Sequence, residues 1–570
     1  MSVKKLNFLV VFIYAFLLFF ISNQMYAFPS SLSITKIFET DGIFTQVQIQ
    51  AFIDGAIFGS TDNLGFPLGY SHWVIPQFGL VDATILWLLG NLTSITNYGL
   101  LSIAGILTLL LNLGSMYYLG LRINRSRVTA FSFGLIGLTT PFAINSLVHI
   151  HVMKIFIIPT VLILLFQLIR NEKLTKLNVF LYLVIIFNAS LFWINVLLAI
   201  LIVVIILEFF DRIIFKFEST LLKNYLKIFA YVLIGFVFHA FLFWYNSTLM
   251  GLSDRFPWQS DIFSGKFSDV LVGSPFLNKF FPRLDNLVPG TSTEAWSNML
   301  GLPLIIGFIF AIYFILTLSL DKFKNTFNLT APLRQFAIVS VLFFVIGGLS
   351  NLQAAFFVLI GSGSPMRTWS RLSIVVSIIG LVIFYTIFEH RLKLIHLKLL
   401  MFLIIFFSLI DLLSLEKYQQ NKDNWGDREQ YKSVTFISQR LQPCPVLQLP
   451  VDTYLLPQGA LDKAYRYYWT NLIPYLVLPD FKWTSAIYTD SPGWKNVIEK
   501  IPSEISKQDV NSLSKTYCAI FFDKNFSQYQ IDRNAGLKYT IGLWPGLRMS
   551  PELNPDFEDT RYSVYVINGK

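Results

Sequence analysis

Apolar blocks long enough to cross a lipid bilayer recur along this chain and constrain its fold more than any other feature. About 20 apolar residues span the hydrocarbon core as a helix. Only 14% of the residues are charged, against roughly 25% in an average soluble domain. These properties predict a polytopic α-helical membrane protein and exclude a disordered chain, a secreted disulfide scaffold and an ordinary cytosolic enzyme. The blocks lie at Asn7 to Tyr26, Leu100 to Leu119, Val128 to Leu147, Val152 to Ile169, Leu226 to Leu249, Met299 to Leu320, Phe336 to Val358, Leu372 to Glu389 and Leu399 to Leu415.

The first block follows Lys4 and Lys5 and has some features of a signal peptide. Its apolar stretch of about 20 residues is long for the apolar region of a signal peptide. No small-x-small cleavage site follows it. We therefore expect a retained first helix with its N-terminus in the cytoplasm.

The charge of the short loops predicts the direction of the spans, because basic residues stay on the cytoplasmic side during insertion. The segment Val179 to Phe210 is too long for one span and lies between two basic loops, so we expect two short helices that turn near Asn188 to Asn195. About eleven transmembrane helices then place the C-terminal residues outside. The net charge of +10 is mostly this topology signal and predicts no nucleic-acid partner. The basic loops carry Arg122, Arg125 and Arg127; Arg170, Lys173 and Lys176; Arg212, Lys216 and Lys223; Lys322, Lys324 and Arg334; and Arg391, Lys393 and Lys398.

The tail returns to ordinary polarity and predicts a small extracytoplasmic α/β domain at 416–570, after a membrane domain at 1–415 with outer loops at 27–98 and 251–298. The two cysteines, Cys444 and Cys518, begin two predicted strands, and both a disulfide and two unpaired buried thiols fit this pattern. One or two helices are expected within Ser491 to Ser514. Strands are expected at Pro445 to Pro450, Tyr517 to Asp523 and Tyr562 to Ile567.

Polar residues collect in the loops that are predicted to lie outside. Asp41 follows the first helix after a short linker, where partial desolvation can raise the basicity of a carboxylate and suit it to act as a general base. The alternative is that Asp41 or Glu39 caps or solvates a helix end. Asp62 and His72 lie further along the same loop.

Two cationic groups are also predicted on the outer side. His149, His151 and Lys154 surround an outer turn, and Arg367 and Arg371 are four residues apart at the entrance of a span. Guanidinium and imidazolium groups bind phosphate well. A metal site would need a third ligand beside the two histidines, and the arginines are alternatively explained as headgroup anchors.

The outer loop 251–298 contains both signs of charge and several aromatic residues. Such a loop is typical of a lip that binds a sugar or of helices that lie in the membrane interface. Trp258, Glu294 and Trp296 are the residues of this loop that we consider for acceptor or sugar binding, together with Asp62 and His72.

Several short motifs share a predicted outer location along residues 1–415. In chain order they are Asp41-Gly42 after a first helix, Leu64-Gly65-Phe66-Pro67-Leu68-Gly69, His149-Ile150-His151 before a span, Glu294 before Leu300-Gly301-Leu302, and Arg367 to Arg371 before a late span. The individual motifs are short, but in their order and shared location they resemble the large bacterial multi-span glycosyltransferases of the GT-C superfamily.

The resemblance implies an inverting transfer of a sugar from a polyprenyl-phosphate donor to a cell-envelope hydroxyl, on the outer face of the bacterial cytoplasmic membrane. It assigns the catalytic base to Asp41. Glu39 would be its acidic partner, but Glu39-Thr40-Asp41 departs from a tight acidic pair, so no cofactor is certain and a divalent metal stays open. The implied partners are a polyprenyl-phosphate-linked sugar, membrane lipid, and an envelope glycan or lipid acceptor.

The residues fit this chemistry independently, because a leaving phosphate needs cationic groups around it. His149, His151, Lys154, Arg367 and Arg371 are the candidates. Two other functions are kept open. A transporter or flippase of a lipid-linked sugar is favoured by the ionisable residues His239 and Asp411 within predicted spans, and a non-catalytic scaffold would use the tail domain to bind an envelope partner.

Overall fold

A computed structural model of the chain divides into two compact units. The helical unit comprises Met1–Pro29, Ser102–Phe238 and Asp254–Asn421, and the loop–tail unit comprises Ser30–Leu101, His239–Ser253 and Lys422–Lys570. The structure describes residues 3–33, 41–71, 78–124, 126–146, 149–215, 221–250, 270, 300–317, 330–346, 369–388, 394–414, 429–449, 473–484, 500–524, 548–559 and 562–567. The predicted boundary after Leu415 falls outside these ranges.

Helices dominate the described residues up to Ser414. The described part of the chain includes six helices that are long and apolar enough to cross a membrane, together with shorter apolar helices. The prediction of a multi-pass α-helical membrane protein is therefore confirmed. In chain order the helices are α1 (Val3–Tyr26), α2 (Asp41–Ile53), α3 (Leu80–Leu92), α4 (Asn97–Asn124), α5 (Arg127–Thr139), α6 (Pro141–Asn145), α7 (Ile150–Met153), α8 (Ile157–Ile169), α9 (Lys176–Asn188), α10 (Leu191–Phe215), α11 (Leu221–Met250), α12 (Leu302–Thr317), α13 (Thr330–Ile346), α14 (Ser373–Phe388) and α15 (Leu394–Ser414).

The long apolar segment Val179 to Phe210 forms two helices, as predicted. The chain leaves the helical conformation at Ala189 and Ser190, between α9 and α10. One detail of the prediction is wrong: α10 has 25 residues and is not short. The helix continues to Phe215 because the segment contains no glycine or proline that would end it earlier.

The helical unit is organised around one large apolar core. Helix α8 is buried from Ile157 to Leu168, as expected for a helix that is apolar on all sides. Helices α12 and α14 approach each other closely at two glycines. A Cβ atom on Gly380 would lie 1.9 Å from the carbonyl oxygen of Gly307, so only glycine permits this backbone contact.

The C-terminal part of the loop–tail unit is a mixed α/β structure. Its five-stranded sheet has the order β2-β1-β4-β7-β6, in which β1 pairs in parallel with β2 and β4 while β7 is antiparallel to its neighbours. All three predicted strands are present. The strands are β1 (Pro445–Leu449), β2 (Lys482–Trp483), β3 (Glu504–Ile505), β4 (Ala519–Asp523), β5 (Arg548–Met549), β6 (Phe557–Glu558) and β7 (Tyr562–Val566).

Three helices accompany these strands: α16 (Glu429–Arg440), α17 (Ile473–Val477) and α18 (Lys507–Leu513). Helix α18 lies within the predicted helical stretch Ser491 to Ser514, of which 491–499 fall outside the described residues. Ser506 and Asp509 form a capping box that fixes the start of α18.

The first loop and the tail share one hydrophobic core. Ile43, Phe44 and Val47 of α2 belong to the same buried cluster as Val434 of α16 and Trp483 of β2. The tail therefore does not bury its apolar surface by itself, because part of its core comes from residues about 400 positions earlier in the chain.

The segment around Leu64 extends the tail sheet at its β2 edge. The amide of Trp483 donates to the carbonyl of Asn63 at 2.9 Å, and the amide of Phe66 donates to the carbonyl of Trp483 at 3.0 Å. Gly65 has a φ of +75°, and a Cβ atom there would lie 2.6 Å from the carbonyl oxygen of Gly69. The glycine-containing motif Leu64 to Gly69 thus forms a tight turn that covers a sheet edge.

A disulfide joins Cys444 and Cys518, whose Cα atoms are 6.2 Å apart. Each cysteine immediately precedes a strand, β1 or β4, and these two strands are neighbours in the sheet. Of the two alternatives left open by the sequence, the structure contains the disulfide.

Candidate functional site

The chain between α7 and α8 forms an ordered break among apolar helices. Helix α7 is a single turn, so its last carbonyl groups have no partner within the helix. Side chains supply these partners. Ser190 donates to the carbonyl of His151 at 2.8 Å, the indole of Trp193 donates to that of Val152 at 3.1 Å, and Asn112 donates to that of Met153 at 2.9 Å.

Asn112 completes the break from the other side. Its side-chain oxygen accepts from the amide of Phe156 at 2.9 Å, and the residue is completely buried. One amide side chain on α4 therefore satisfies both a donor and an acceptor of the interrupted backbone. Such satisfaction is required wherever a chain leaves the helical conformation away from water.

Lys154 lies in this break and is completely buried. Its ammonium group donates to the carbonyl of Asn188, the last residue of α9, at 3.0 Å. The C-terminal end of a helix carries partial negative charge and stabilises a cation there. The structure thus fixes the position of the Lys154 side-chain nitrogen, a few residues from the two predicted histidines.

His149 and His151 lie next to each other. Their ring centroids are 5.7 Å apart, with the ring planes nearly perpendicular, and both residues are partly exposed. The structure thus brings His149, His151 and Lys154 together in one short segment, with the imidazole rings more accessible than the ammonium group.

Arg371 belongs to the same unit and is buried, at 7% exposure. It lies in a short 3-10 helix, Trp369–Leu372, directly before α14. The other predicted arginine, Arg367, lies outside the described residues. The predicted role of the pair in phosphate binding therefore stays a prediction.

Asp411, one of the two residues that favour transport, has a contact with the backbone. Its carboxylate accepts from the amide of Leu302, the first residue of α12, at 2.6 Å. It is completely buried and therefore stabilises the start of this helix, where amide groups lack intrahelical partners.

In the loop–tail unit, Asp41 is the first residue of α2. The helix is buried from Gly42 to Phe52 and carries the polar side chains Gln46, Gln48 and Gln50 into the interior. The side chain of Asp41 and the whole of Glu39 lie outside what the structure describes. The predicted base is thus located at the N-terminus of a helix that is otherwise held inside the shared core.

A second carboxylate, Asp54, immediately follows the other end of α2 and is the centre of a hydrogen-bond network. One oxygen accepts from Gln50 at 2.9 Å. The other accepts from the hydroxyl of Tyr475 at 2.6 Å and from Asn63 at 3.2 Å. Gln50 in turn accepts from Asn97 at 2.7 Å. The network joins α2, the loop after it, the start of α4 and the tail helix α17.

The surroundings of Asp54 also change its protonation. Burial raises the pKa of Asp54 above its usual value, and the hydrogen bonds from Tyr475, Gln50 and Asn63 act in the opposite direction. Burial and the neighbouring carboxylate hold the pKa of Tyr475 well above its usual range. Tyr475 is therefore a neutral hydroxyl donor to Asp54 at physiological pH.

The remaining predicted site residues are less well defined. Asp62 is exposed in the loop after α2. Among the described residues, no group of three histidine, cysteine, aspartate or glutamate side chains has the arrangement of a metal site. The residues His72, Trp258, Glu294 and Trp296 lie outside the described ranges.

Sequence reasoning missed two of the residues that organise these sites. Tyr475 lies in a tail segment with no motif, and Asn112 is a lone amide in an apolar block. Asp54-Gly55 is visible in the sequence only as part of an acidic loop. The alternation of Gln46, Gln48 and Gln50 in an otherwise apolar stretch was the available signal that this helix has buried polar partners.

Neither a family model nor a curated protein matches the sequence. Solved structures do match. The archaeal oligosaccharyltransferase AglB from Archaeoglobus fulgidus, in complex with an inhibitory peptide and a dolichol-phosphate, is 11% identical, with a TM-score of 0.49 over 93% of this chain and 71% of that chain. ArnT from Cupriavidus metallidurans in the apo state is 11% identical, with a TM-score of 0.43 over 100% of this chain and 99% of that chain.

ArnT bound to undecaprenyl phosphate matches at 12% identity and a TM-score of 0.40, over 99% of this chain and 98% of that chain. With identities of 11% to 12% and TM-scores below 0.5, the similarities carry no conclusion about activity, substrate or site residues.

Proposed function

We propose that the chain is an inverting glycosyltransferase that moves a sugar from a polyprenyl-phosphate donor to a hydroxyl of a cell-envelope acceptor. The observation that carries the proposal is the ordered break at His149 to Lys154. Two imidazole rings and a buried ammonium group occur there in an apolar helical unit, and every carbonyl from His151 to Met153 is satisfied by a side chain. Ionisable groups are costly in such surroundings and generally mark a functional site.

In the proposed reaction the acceptor hydroxyl attacks the anomeric carbon of the donor sugar. Asp41 takes the proton of that hydroxyl, the new carbon–oxygen bond forms, and the bond from the anomeric carbon to the phosphate oxygen breaks. The electron pair of the broken bond leaves with the polyprenyl phosphate. A single displacement of this kind inverts the anomeric configuration.

The phosphate of the donor gains negative charge as it leaves, and preorganised cationic groups stabilise that charge. His149 and His151 are partly exposed and are the groups of the break that we propose to contact the phosphate. Lys154 has no exposed surface, so we assign it the supply of fixed positive charge beside the histidines. Arg371 and Arg367 are proposed as further phosphate ligands.

We further propose that the chain resides in a bacterial cytoplasmic membrane with the tail outside. The disulfide Cys444–Cys518 supports this direction, because disulfides form and persist in oxidising compartments. The acceptor is then a glycan or lipid of the envelope, and the donor is delivered from the membrane itself.

The assignment of Asp41 is tested with the full chain in membranes, with a panel of undecaprenyl-phosphate hexoses as donors and envelope extract as acceptor. Asp41→Asn should abolish transfer while the protein accumulates normally, because the amide cannot accept the acceptor proton. Asp480→Asn changes an exposed carboxylate of the same unit and should retain activity. Product formation by Asp41→Asn at the parent rate would remove Asp41 from the mechanism.

The phosphate site is tested by substitution of the histidines. The double substitution His149→Ala with His151→Ala should raise the KM for the lipid-linked donor by roughly a hundred-fold, since each of the two lost contacts to a charged phosphate costs about 1.5 kcal/mol. Lys173→Ala removes an exposed positive charge elsewhere in the helical unit and serves as the control. An unchanged donor KM in the double variant would contradict the assignment.

The contact between Asp411 and the amide of Leu302 bears on the transport alternative. It gives Asp411 a structural role, which leaves His239 as the residue in favour of transport. The same membranes, prepared as sealed vesicles, distinguish the two functions. Movement of a lipid-linked sugar across the bilayer without formation of a glycoside would support a flippase and overturn the transferase.

A further inference from the structure

Each end of α2 is marked by a carboxylate of the first loop. Asp41 begins the helix, and Asp54 follows its last residue. A helix of 13 residues is about 20 Å long and behaves as one stiff element. Any contact that fixes the Asp54 end therefore also restricts the position of the Asp41 end.

We propose that Asp54 and Tyr475 form a latch through which the tail holds α2, so that Asp54 is a positioning residue for the base Asp41. This inference rests on the proposed function in one respect only, the role of Asp41. The latch itself consists of contacts within the loop–tail unit, so it can be tested without any substrate.

The geometry of the latch is specific. The hydroxyl of Tyr475 donates to Asp54 at 2.6 Å across a sequence separation of 421 residues. A distance of 2.6 Å is short within the usual range for a hydrogen bond between two oxygen atoms, and such bonds depend on direction. Tyr475 is itself completely buried, so its hydroxyl cannot reorient into water without opening of the core.

The other partners of Asp54 restrict α2 from different directions. Gln50 lies one turn back on the helix, and Asn63 belongs to the segment that extends the tail sheet. Asn97 holds Gln50 from the start of α4. A network that joins four segments around one carboxylate specifies a single arrangement of those segments, because any other would leave buried polar groups without partners.

The unit offers a hydrogen bond of the same kind that does not involve α2. Ser433 of α16 donates to Asp559 at 2.7 Å. Both bonds join a hydroxyl to a carboxylate over more than 100 residues of sequence. Removal of the Ser433 hydroxyl therefore serves as the control, because it deletes a hydroxyl–carboxylate bond of the same unit that does not involve α2.

The experiment compares Tyr475→Phe with Ser433→Ala in the full chain in detergent. Hydrogen–deuterium exchange is measured for peptides that cover α2 and, as a reference, α8. In Tyr475→Phe the amides of α2 should exchange roughly ten-fold faster than in the parent, while those of α8 do not change. Ser433→Ala should leave α2 at the parent rate. Equal exchange of α2 in both variants would overturn the latch.

The consequence for the base is measured by kinetics. Tyr475→Phe should lower kcat by roughly ten-fold with the donor KM within about two-fold of the parent, because small displacements of a reacting group cost rate more than binding. Ser433→Ala should keep kcat within about two-fold. The double variant Asp54→Asn with Tyr475→Phe should be no slower than the slower single variant, as expected when both residues act through one contact.

The outcomes separate the two proposals. If the parent forms no glycoside from any donor, the proposed function fails, and the exchange of α2 still decides whether the latch exists. If α2 exchanges faster in Tyr475→Phe and kcat is unchanged, the latch exists but does not position the base, and the inference is overturned. Additive losses in the double variant would show that the two residues act separately and would overturn it as well.

Discussion

Two carboxylates in different units, Asp411 and Asp54, have different kinds of hydrogen-bond partner. Asp411 is fully buried in the helical unit and accepts from a main-chain amide at the start of α12. Asp54, in the loop–tail unit, accepts from side chains that include Tyr475, 421 residues away in sequence. The first carboxylate completes a helix end, and the second joins distant segments.

At the breaks between helices, other side chains of the helical unit also bind the main chain, although Tyr225, Gln335 and Glu208 join helices of the same unit through side-chain bonds. In the helical unit Asn112, Lys154 and Ser190 all bind main-chain atoms at breaks between helices. Apolar surroundings offer no water to an interrupted backbone, so side chains must take its place. The loop–tail unit has a sheet whose ladders satisfy the backbone, which leaves its side chains available to hold separate segments together. Four predictions follow from this contrast.

The largest expected loss of stability comes from breaking the disulfide, which links two segments of the loop–tail unit. Cys444 and Cys518 are 74 residues apart, and a loop of that length corresponds to roughly 4 kcal/mol of stabilisation in the chain-entropy description. Reduction, or Cys444→Ser with Cys518→Ser, should destabilise the tail and leave α8 unaffected, as measured by hydrogen exchange of β1, β4 and α8.

The parent has two cysteines in all, which provides a direct control. A thiol-reactive dye should label nothing before reduction and two sites after it. Labelling of the unreduced chain at both positions would contradict the disulfide, and equal loss of protection in α8 would remove the distinction between the two regions.

The next effect concerns the cap of α12. Asp411→Ala removes the acceptor and leaves the half-buried amide of Leu302 without it, which should cost about 1 to 3 kcal/mol. Asp411→Asn keeps an acceptor oxygen of the same reach and should cost less. Thermal unfolding in detergent measures the loss, and hydrogen exchange should locate it at the first turn of α12. Equal effects of both substitutions would indicate that the charge of Asp411, and not its hydrogen bond, stabilises the helix.

A smaller effect is expected from the protonation of Asp54. Burial raises its pKa above the usual 3.8, so the folded chain binds this proton more tightly than the unfolded chain. The contribution of this proton to the stability of the folded chain is therefore fully present below the pKa that Asp54 has in the unfolded chain. It is lost as the pH rises through the pKa that Asp54 has in the folded chain. The groups that face the carboxylate are Tyr475, Gln50, Asn63 and Thr61, all uncharged.

The measurement compares the melting temperatures of the parent and Asp54→Asn between pH 4 and pH 7. The advantage of the parent over the variant should shrink as the pH rises. An advantage that grows with pH would mean that the hydrogen bonds outweigh burial and that Asp54 is held as a carboxylate. Asp509 is a suitable reference, because the hydrogen bonds from Ser506 lower its pKa and give a dependence of opposite sign.

The sequence predicted the elements better than their partners. The apolar blocks and the strands Pro445 to Pro450 and Tyr562 to Ile567 are local patterns, and helices and strands occur at these places in the described residues. Two of the blocks, Val128 to Leu147 and Val152 to Ile169, are each divided between two helices. The core shared by α2 and the tail is not a local pattern. No periodicity links Asp54 to Tyr475, since their contact depends on how two segments pack after each has formed.

The residues of the candidate site likewise include some that the local sequence predicts and some that it does not. His149 and His151 adjoin in the structure because they are two residues apart in the chain. Asn112, which holds the break that presents them, reads in the sequence as one polar residue in an apolar span. Sequence alone cannot distinguish such an amide from one that lines a substrate path, because both are polar residues in apolar surroundings.

The smallest expected effect is that of Ser433→Ala. The lost bond to Asp559 is one of at least two that this carboxylate accepts, since the amide of Tyr562 also donates to it at 2.6 Å. About 1 kcal/mol of stability should therefore be lost, measured as a lower melting temperature of the full chain. A loss as large as that of Tyr475→Phe would mean that hydroxyl–carboxylate bonds anywhere in the loop–tail unit are equivalent, and Asp54 would then have no special part in holding the first loop to the tail.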